Sequence, residues 1–517
     1  MKRFCAPPRA FHLVGLVSSL AVLAGCAQPL PPRTASQGGS RWLALRTTHL
    51  LIETDLAEDD ARSLSQTYET AYRELAAVVI PGAEGPRERA EIVVFRDEDE
   101  FHAFGSWRLG GFFFDRGPID LERHPTIVLY APRYGALLDD GHVTLLHELT
   151  HRLIHHVYGW APIWMNEGLA QYFSTMRIDD GKVFLGEPPR WTVYNPDVLP
   201  PVSALLAMDY QHLTATDLPD DYTRTQKTAN NYLGAWALVH FFRNGPDSYR
   251  GRFQRFVSDM NRGARAKEAW SSAFGDLPAA TLEADYRSYL TAERWDVFTR
   301  PLTRATVEPL ESVDVIADAD VHLLWLRTVA GAAGSPMAIT QLVEAQDDAP
   351  RSAEVSYWRG SVDFFLHRFA DARAAFEVGL RQQPDDPRTL FGLIVTLDRL
   401  ARTAPPEGRA EMRGAAAMAL TRLARTAASA DELALVAQSF AAAGQMTEAL
   451  ARADAAIALD PGSYSAHSAR ARVLASASRY AEAVAEQERA VALAQESLSD
   501  SSLENDLQSY RRLARSQ

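Results

Sequence analysis

Small residues recur at a spacing of 34 in the last part of the chain, and this recurrence restricts the possible folds more than any other feature. The pairs with this spacing are Ala437 and Ala471, Ala449 and Ala483, and Ala456 and Ala490. Pro461 follows Ala449 by 12 residues, and Pro384 follows Ala372 by the same distance. Past Val315 alanine is abundant and no convincing strand pattern remains. A period of this length is typical of repeat architectures, so we expect stacked helical units here.

The positions of these small residues resemble those of tetratricopeptide repeats, where they let two antiparallel helices pack closely and a proline ends the second helix. Three units fit this frame, at residues 353–386, 430–463 and 464–497. Between the first two there is room for one irregular repeat, which contains the insertion TAPPEGR. A generic alanine-rich helical bundle is the alternative. The resemblance implies an all-α tetratricopeptide-repeat solenoid over residues 306–517, with a curved surface that usually binds another protein.

The first 26 residues have the pattern of a targeting segment. A basic start precedes an apolar run over residues 11–23, which is too short to cross a membrane as a stable helix. The run closes on LAGC, residues 23–26, which resembles the lipobox of bacterial lipoproteins. This resemblance implies a signal peptide over residues 1–25 and lipidation of Cys26 as the first residue of the mature chain. An ordinary signal peptide with an incidental cysteine is the alternative.

The residue after this cysteine and the overall charge bear on location and partners. Ala27 stands where an inner-membrane retention signal would be Asp, which implies an anchor in the outer membrane, facing the periplasm. Cys5 would leave with the signal peptide and Cys26 would carry lipid, so a disulfide or a thiolate metal site is excluded. Any metal ion must then bind to His, Asp or Glu. The formal net charge of -13 argues against nucleic acid and against electrostatic adhesion to a membrane.

The segment between the signal and the repeats has a mixed α and β texture. Residues 26–40 are rich in Pro, Gly and Ser, which predicts a flexible tether. Apolar runs predict a long helix at residues 57–79 and strands at residues 49–55, 90–95, 110–114 and 126–131. From His142 to Leu302 the pattern is mainly helical. This order predicts an α+β domain over residues 41–305.

One short motif in this domain is suited to metal chemistry. In the sequence HELTH, His147 and His151 lie about 40° apart around a helix axis and about 6 Å apart along it. Both imidazoles can therefore reach one metal ion on the same face of the helix. The opposite arc is apolar and consists of Leu145, Leu146, Leu149, Leu153 and Val157. Glu148 points to the edge of the metal-bearing face, where it can accept a proton from metal-activated water.

The third metal ligand decides the class of such a site. Metzincins would need Gly at position 154 and His at position 157, whereas this chain has Ile154 and Val157. The segment WMNEGLAQYF, residues 164–173, instead supplies a glutamate on a second helix. The whole stretch resembles gluzincin metallopeptidases, in particular the peptidase MA-like domains of bacterial envelope proteins. The resemblance spans roughly residues 41–300 and is most specific at the motif.

The resemblance implies a thermolysin-like α+β metallopeptidase domain with one zinc ion per chain. Matched residue by residue, the zinc ligands are His147, His151 and Glu167, and the general base is Glu148. Tyr232 leads a helix that resembles the family's, which implies that its hydroxyl stabilises the oxyanion that forms during hydrolysis. Tyr222 is the rival for this role, and a buried packing tyrosine is the ordinary alternative.

Other residues around the motif have plainer interpretations. Gln171 stands where thermolysin-type gluzincins often carry an acidic residue that orients a histidine, and an amide there would make the imidazole less basic. His155 is predicted to be solvated or packed, and His156 to be structural. Gly110 and Gly111 allow a strand edge to approach an extended peptide, although a simple turn also explains them.

Two functions remain open from the sequence. In the first, the chain is a membrane-anchored zinc peptidase that hydrolyses peptide bonds in envelope proteins or peptides, and the repeats recruit a protein substrate or partner. In the second, it is a catalytically silent zinc-bearing scaffold whose repeats mediate assembly at the envelope. Glu148 favours the first function, because a scaffold has no need for a general base.

Overall fold

The structure of the chain is a computed structural model. It describes residues 33–79, 85–86, 89–104, 111–114, 126–131, 140–158, 161–189, 195–215, 218, 221–262, 264–293, 295–303, 310–328, 334–442, 444–494 and 501–515. The predicted signal peptide and the predicted lipidation site, Cys26, lie outside these residues. Among the helices of these ranges, none combines the length and the apolar composition that crossing a bilayer requires.

Six strands of the described residues form one mixed sheet. The strands of the chain are β1 (Leu43–Arg46), β2 (Leu50–Thr54), β3 (Ala90–Phe95), β4 (Gly111–Phe114), β5 (Thr126–Tyr130), β6 (Arg177–Asp179), β7 (Lys182–Leu185), β8 (Phe298–Pro301) and β9 (Ser312–Val315). The large sheet has the order β4-β5-β3-β2-β1-β9, in which β2, β3 and β5 are parallel and the other pairs are antiparallel. The four strands predicted from the sequence are confirmed as β2, β3, β4 and β5, whereas β1 and β9 were not predicted.

Helices follow the first strands in the described part of the chain. They are α1 (Glu58–Val79), α2 (Glu98–Phe104), α3 (Asp140–Tyr158), α4 (Ile163–Ser174), α5 (Val202–Leu206), α6 (Tyr210–Leu213), α7 (Asp221–Asn244), α8 (Asp247–Asn261), α9 (Ala266–Phe274) and α10 (Ala279–Ala292). α1 and α3 share one core with the sheet residues Leu45, Ile52 and Val94. Val93 and Phe95 of β3 belong to a different core, because successive side chains of a strand point to opposite faces.

The opposite face of the sheet is covered by α11 (Asp318–Thr328), the first helix of the C-terminal half. Trp325 of this helix packs edge-on against Trp42, with ring centroids 6.1 Å apart. Trp42 in turn contacts Phe95, with ring centroids 5.3 Å apart. The second core therefore joins the N-terminal and C-terminal parts of the chain.

Polar contacts fix the same helix to the sheet. Arg327 is paired with Glu53 on β2, and its guanidinium lies 3.1 Å from the carboxylate of Glu91 on β3. β9, which immediately precedes α11, pairs with β1. The sheet thus extends past the boundary that the sequence predicts at residue 305, because its last strand comes from beyond that point.

The chain before β1 is folded onto α11. Thr34 is buried, and Ala35–Gln37 form one turn of 3-10 helix. The main-chain N–H of Ser36 donates to the carboxylate of Asp318 at 2.9 Å. Residues 34–40, which the sequence analysis places in a flexible tether, therefore belong to the folded body.

A second, smaller sheet has the order β6-β7-β8. The β6–β7 hairpin closes through Asp180 and Gly181, whose φ angles are 44° and 68°. Two successive positive φ angles are typical of a type I′ turn, for which Asp-Gly is a favoured pair. The interpretation of residues 142–302 as mainly helical missed this hairpin, although its turn signal is present in the sequence.

The C-terminal half continues as pairs of helices. They are α12 (Pro336–Asp348), α13 (Ala353–Phe365), α14 (Phe369–Gln382), α15 (Pro387–Thr403), α16 (Pro406–Thr426), α17 (Ala430–Ala442), α18 (Met446–Leu459), α19 (Tyr464–Ser476), α20 (Tyr480–Ala494) and α21 (Ser501–Arg515). Each predicted 34-residue unit is one packed pair, namely α13 with α14, α17 with α18, and α19 with α20. The longer pair α15–α16 forms the irregular unit around the predicted insertion. The prediction of stacked helix pairs in the C-terminal half is confirmed from α12 onward, whereas β9 lies inside the range that was predicted to be all-α.

Small residues are required where helices of this array cross. A Cβ atom at Gly360 would lie 2.5 Å from the ring of Phe376, and one at Gly392 would lie 2.6 Å from the same ring. Ala449 and Ala483, which share the 34-residue spacing, are fully buried. The recurrence in the sequence therefore reflects the close approach of neighbouring helices.

Candidate metal centre

Two helices bring the candidate ligands together. α3 carries His147 and His151, and α4 carries Glu167. The apolar arc of α3 is buried as predicted: Leu145, Leu146, Leu149 and Leu153 are fully buried and Val157 packs at the margin of the core. All twelve residues of α4 are buried, and the helix packs against both α3 and α7. The two candidate histidine ligands and the candidate glutamate ligand therefore lie on helices that pack closely against the core.

A glycine sets how closely α4 approaches α7. A Cβ atom at Gly168 would lie 2.5 Å from the carbonyl oxygen of Ala235 and 2.6 Å from Val239. No residue with a side chain fits there unless one helix moves, and such a move would displace the neighbouring Glu167. Gly168 was not predicted from the sequence to have a role of its own. A signal was present, because glycine inside a helix is unfavourable and often has a packing reason.

The three predicted ligands converge on one point. The Nε2 atoms of His147 and His151 lie 3.0 Å apart. Oε2 of Glu167 lies 3.5 Å from Nε2 of His147 and 3.6 Å from Nε2 of His151. In the part of the chain that the structure describes, no other set of three His, Cys, Asp or Glu side chains has its ligand atoms within 4.8 Å of one another.

This arrangement fits a zinc ion. Two imidazole nitrogens and one carboxylate oxygen are a donor set of catalytic zinc sites, and tetrahedral bonds of about 2.0–2.1 Å would separate the donors by about 3.3 Å. Oε2 of Glu167 is buried and has no hydrogen-bond partner among the described residues. A buried carboxylate oxygen without a partner is costly, and a cation bound between these three side chains would remove that cost.

The electrostatics of the centre also favour a bound cation. Burial alone would raise the pKa of Glu167, but the imidazoles of His151 and His147 beside its carboxylate outweigh this effect and hold the pKa well below its usual range. The carboxylate is therefore ionised at neutral pH, which is the form that binds a metal. The side chains of His147 and His151 keep 16% and 14% of their surface exposed, so the centre is shielded but not sealed.

The remaining acidic and histidine residues of α3 have simpler placements. Glu148 is half-buried and directly follows His147 on the helix. Its role as general base stays a prediction. His156 is half-buried on the same helix, and the side chain of His155 lies outside the description of the structure.

Gln171 lies one helical turn after Glu167 on α4 and is 9% exposed. Its main-chain oxygen accepts a hydrogen bond of 2.9 Å from the hydroxyl of Ser174. Its side-chain amide makes no hydrogen bond to any described residue, including the two histidines. The effect of this amide on the basicity of the imidazoles stays a prediction.

The two candidate tyrosines lie at different places along α7. Tyr232 is half-buried and precedes Ala235 by three residues, so it lies on the part of α7 that packs against α4. Tyr222 is 77% exposed and lies ten residues earlier, about 15 Å away along the helix. This placement suits Tyr232 better than Tyr222, and the role in oxyanion stabilisation stays a prediction.

Among the described residues, one end of the large sheet adjoins the helix that carries the histidines. β4 is the last strand at one end of the large sheet and packs against α3. Its first residue, Gly111, is paired with Leu129 on β5, whereas Gly110 lies outside the described residues. A terminal strand keeps main-chain groups available for an added strand on its other side. An extended chain can therefore be bound beside α3.

Comparison with known proteins does not assign a family. No protein-family model matches the chain, and no curated protein matches it.

Three solved structures have some likeness to it. A thermophilic TPR protein of Thermus thermophilus is 22% identical, with a TM-score of 0.30 over 34% of this chain and 89% of that chain. The APC/C heterotetramer Cut9–Hcn1 is 12% identical, with a TM-score of 0.32 over 74% of this chain and 66% of that chain. The TPR domain of P58(IPK) is 14% identical, with a TM-score of 0.21 over 58% of this chain and 72% of that chain.

Proposed function

We propose that this chain is a zinc-dependent peptidase held at the bacterial outer membrane by lipid on Cys26. The convergence of His147, His151 and Glu167 carries the proposal, together with the unpartnered buried oxygen of Glu167. A donor set of three protein side chains leaves a fourth position of a tetrahedral ion open, as hydrolytic zinc sites require. The ionised carboxylate and the partial exposure of both histidines support the same proposal.

The residues around the centre have defined tasks in peptide hydrolysis. Bound zinc supplies Lewis acidity, which polarises a substrate carbonyl and makes water more acidic. Glu148 accepts the proton of the attacking water and passes it to the leaving amine. Tyr232 donates a hydrogen bond to the oxyanion that develops on the carbonyl. His147, His151 and Glu167 would hold the ion, and the packing of α3 and α4 keeps these three side chains together.

The edge of β4 that pairs with no other described strand gives the proposed substrate a place to bind. An extended peptide can add to this edge as a further strand, with main-chain hydrogen bonds that do not depend on side-chain identity. Because β4 packs against α3, a peptide bound there would lie beside the helix that carries the histidines. The proposed substrates are therefore extended segments of envelope proteins or peptides.

The metal and the chemistry are tested with three forms of the chain that begin after the signal and carry Cys26→Ser. Elemental analysis is expected to find one zinc per chain in this parent form and in Glu148→Gln, and far less in Glu167→Ala. Peptide hydrolysis is expected to fall in Glu148→Gln by about 100-fold or more, since the proton acceptor is lost.

Two outcomes would contradict this proposal. Absence of metal in the folded parent form, after purification with zinc, would show that the three residues do not bind zinc. Full hydrolytic activity in a zinc-loaded Glu148→Gln form would show that Glu148 is not the proton acceptor. Circular dichroism of each variant shows whether the fold is retained.

A second function is supported by the helix pairs of the C-terminal half. Stacked pairs form an extended curved surface suited to binding a protein, and a scaffold could use that surface at the envelope while its zinc centre is silent. The lack of any hydrogen bond from Gln171 to the histidines is consistent with this function. In cells, a Glu148→Gln strain that behaves like the wild type, alongside a defective strain lacking α17–α21, would favour the scaffold over the peptidase.

A further inference from the structure

The folded body begins very close to the proposed lipidation site. A Cβ atom at Gly39 would lie 1.7 Å from the carbonyl oxygen of Arg33, because the chain turns back on itself here. The amide of Gly39 donates to the carbonyl of Thr34 at 2.8 Å, and Thr34 is fully buried. From Cys26 to Thr34 the chain spans eight residues, which reach at most about 29 Å when fully extended. Lipid on Cys26 would therefore hold this part of the body near the bilayer.

The chain enters the body beside α11 and α12. Ser36 donates to Asp318 at the start of α11, at 2.9 Å. The side-chain amide of Gln37 donates to Glu344 on α12, at 3.2 Å. The surface next to the tether is thus the surface of α12.

The outer face of α12 carries apolar side chains that are exposed in the described part of the chain. Ile339 and Val343 lie one turn apart and are 41% and 48% exposed. Pro336, one turn earlier on the same side, is also exposed. The inner side of the helix, with Ala338 and Leu342, is buried. A stripe of exposed aliphatic side chains beside a short lipid tether is suited to a lipid surface.

We propose that the outer face of α12, with Pro336, Ile339 and Val343, rests on the bilayer when the chain is anchored. The proposal rests on the lipidation of Cys26 that is part of the proposed function. The tether makes the contact intramolecular, so a small apolar stripe is sufficient to orient a body that the lipid already holds. Asp347 and Asp348 at the end of α12 are exposed, so zwitterionic headgroups suit this face better than anionic ones.

This orientation determines which substrates can reach the metal centre. The sheet lies between α3, which carries His147 and His151, and α11, against which α12 packs. Packed layers of sheet and helix are each about 10 Å thick, so the centre lies about 20 Å or more from the bilayer, on the far side of the sheet. The substrate class is then a peptide segment in the aqueous phase, and segments buried in the bilayer are out of reach.

The contact is tested with the full lipidated chain on vesicles. After signal removal and lipidation no other thiol remains, so an introduced cysteine can be labelled with a polarity-sensitive fluorophore. Val343→Cys reports on the proposed face, and Met418→Cys, which is 68% exposed on α16, is the matched control. On phosphatidylethanolamine vesicles that contain brominated lipid, the label at position 343 is expected to be quenched several-fold more than the label at position 418. Added phosphatidylglycerol is expected to reduce this difference.

Each other outcome identifies what fails. Equal quenching at positions 343 and 418, in protein that floats with the vesicles, overturns the apposition of α12 and leaves the anchor intact. Failure to float overturns the anchor and this proposal with it, while the zinc content of the soluble form still tests the peptidase separately. A label at position 343 that is shielded without vesicles, increasingly at higher protein concentration, shows that a second copy covers the face and overturns the proposal.

Discussion

A Cβ atom at Gly168 on α4 would lie 2.5 Å from the carbonyl oxygen of Ala235 on α7, so the packing of these helices leaves no space for a side chain. Glu167 precedes this glycine and supplies the carboxylate oxygen that faces both histidines. The position of the third candidate ligand is thus set by the closeness of two helices. Packing in the core and geometry at the metal centre depend on the same residue.

Replacement of Gly168 by alanine is expected to destabilise the chain and to weaken zinc binding. The added Cβ must push α4 away from α7, which costs about 1–3 kcal/mol for overpacking of a core. Urea unfolding measures the loss, and elemental analysis measures the metal. Gly251→Ala on α8 is the control, because a Cβ there meets nothing within 4 Å. Alanine is the better helix former, so this control is expected to gain about 0.5–1 kcal/mol. Equal effects of the two substitutions would contradict the close contact.

The repeat array offers a parallel test at Phe376. Gly360→Ala is expected to cost about 1–3 kcal/mol, because the new Cβ would overlap the ring of Phe376. Gly414→Ala on α16 is the matched control, since nothing lies within 4 Å of its Cβ position. Combining Gly360→Ala with Phe376→Leu is expected to recover part of the loss, which a double-mutant cycle of unfolding free energies measures. Strictly additive effects would show that the ring is not the obstacle.

A chain that ends at residue 305 is expected to misfold. It lacks β9, which pairs with β1, and α11, which covers Trp42 and Phe95. A chain that ends after Asp348 keeps both elements and is expected to unfold cooperatively. Binding of a hydrophobic dye and the denaturant unfolding curve compare the two. A soluble, cooperatively folded protein ending at residue 305 would show that α11 is dispensable for the sheet.

Stability is expected to fall as the pH drops below neutral. Burial lowers the pKa of His142 and of His240 to about 4 in the folded chain. In the unfolded chain a histidine titrates near pH 6.5, so between about pH 6.5 and 4 the unfolded chain binds protons that these two buried groups do not. Their contribution to stability is complete above that range and is lost as the pH falls through it.

One substitution isolates this effect. His240→Phe is expected to lower the slope of unfolding free energy against pH by about 1 kcal/mol per pH unit between about pH 6 and 5. The phenyl ring keeps the packing against Trp236 and Trp295, whose rings lie 5.1 and 5.2 Å from His240. Glu69, Glu354 and Glu486 have pKa values lowered from 4.5 and therefore act below this window. An unchanged slope would show that His240 is not held neutral by burial.

Local spacing was sufficient to predict much of the candidate site. His147 and His151 are four residues apart, and a helix places such residues on one face whatever surrounds it. The apolar arc of α3 was predicted for the same reason and is buried as expected. The repeat units were predicted because small residues recur in the sequence at a fixed spacing of 34 residues. In each case the structural feature depends on residues that are close together in the sequence, so their spacing is sufficient to predict it.

Other features required the folded chain. β1 and β9 are each only four residues long. Leu43 of β1 pairs with Val315 of β9, which lies far away in the sequence. Neither strand therefore had a pattern long enough to predict it. The hydrogen bond that Ser174 donates to the main-chain oxygen of Gln171 also had no signal in the sequence. The Asp-Gly turn of the β6–β7 hairpin is different, because its signal was present and was overlooked.

The sequence by itself determined the type of each half, the face of α3 that carries two histidines, and the glutamate available as a third ligand. Only the tertiary structure decided that Oε2 of Glu167 lies 3.5 and 3.6 Å from those histidines, and that α11 closes the sheet from beyond residue 305. The physical reason is that helix and strand periodicity is fixed by the backbone, residue by residue. The approach of distant segments depends on side-chain volumes at their contact, such as the missing Cβ of Gly168, which no local pattern encodes.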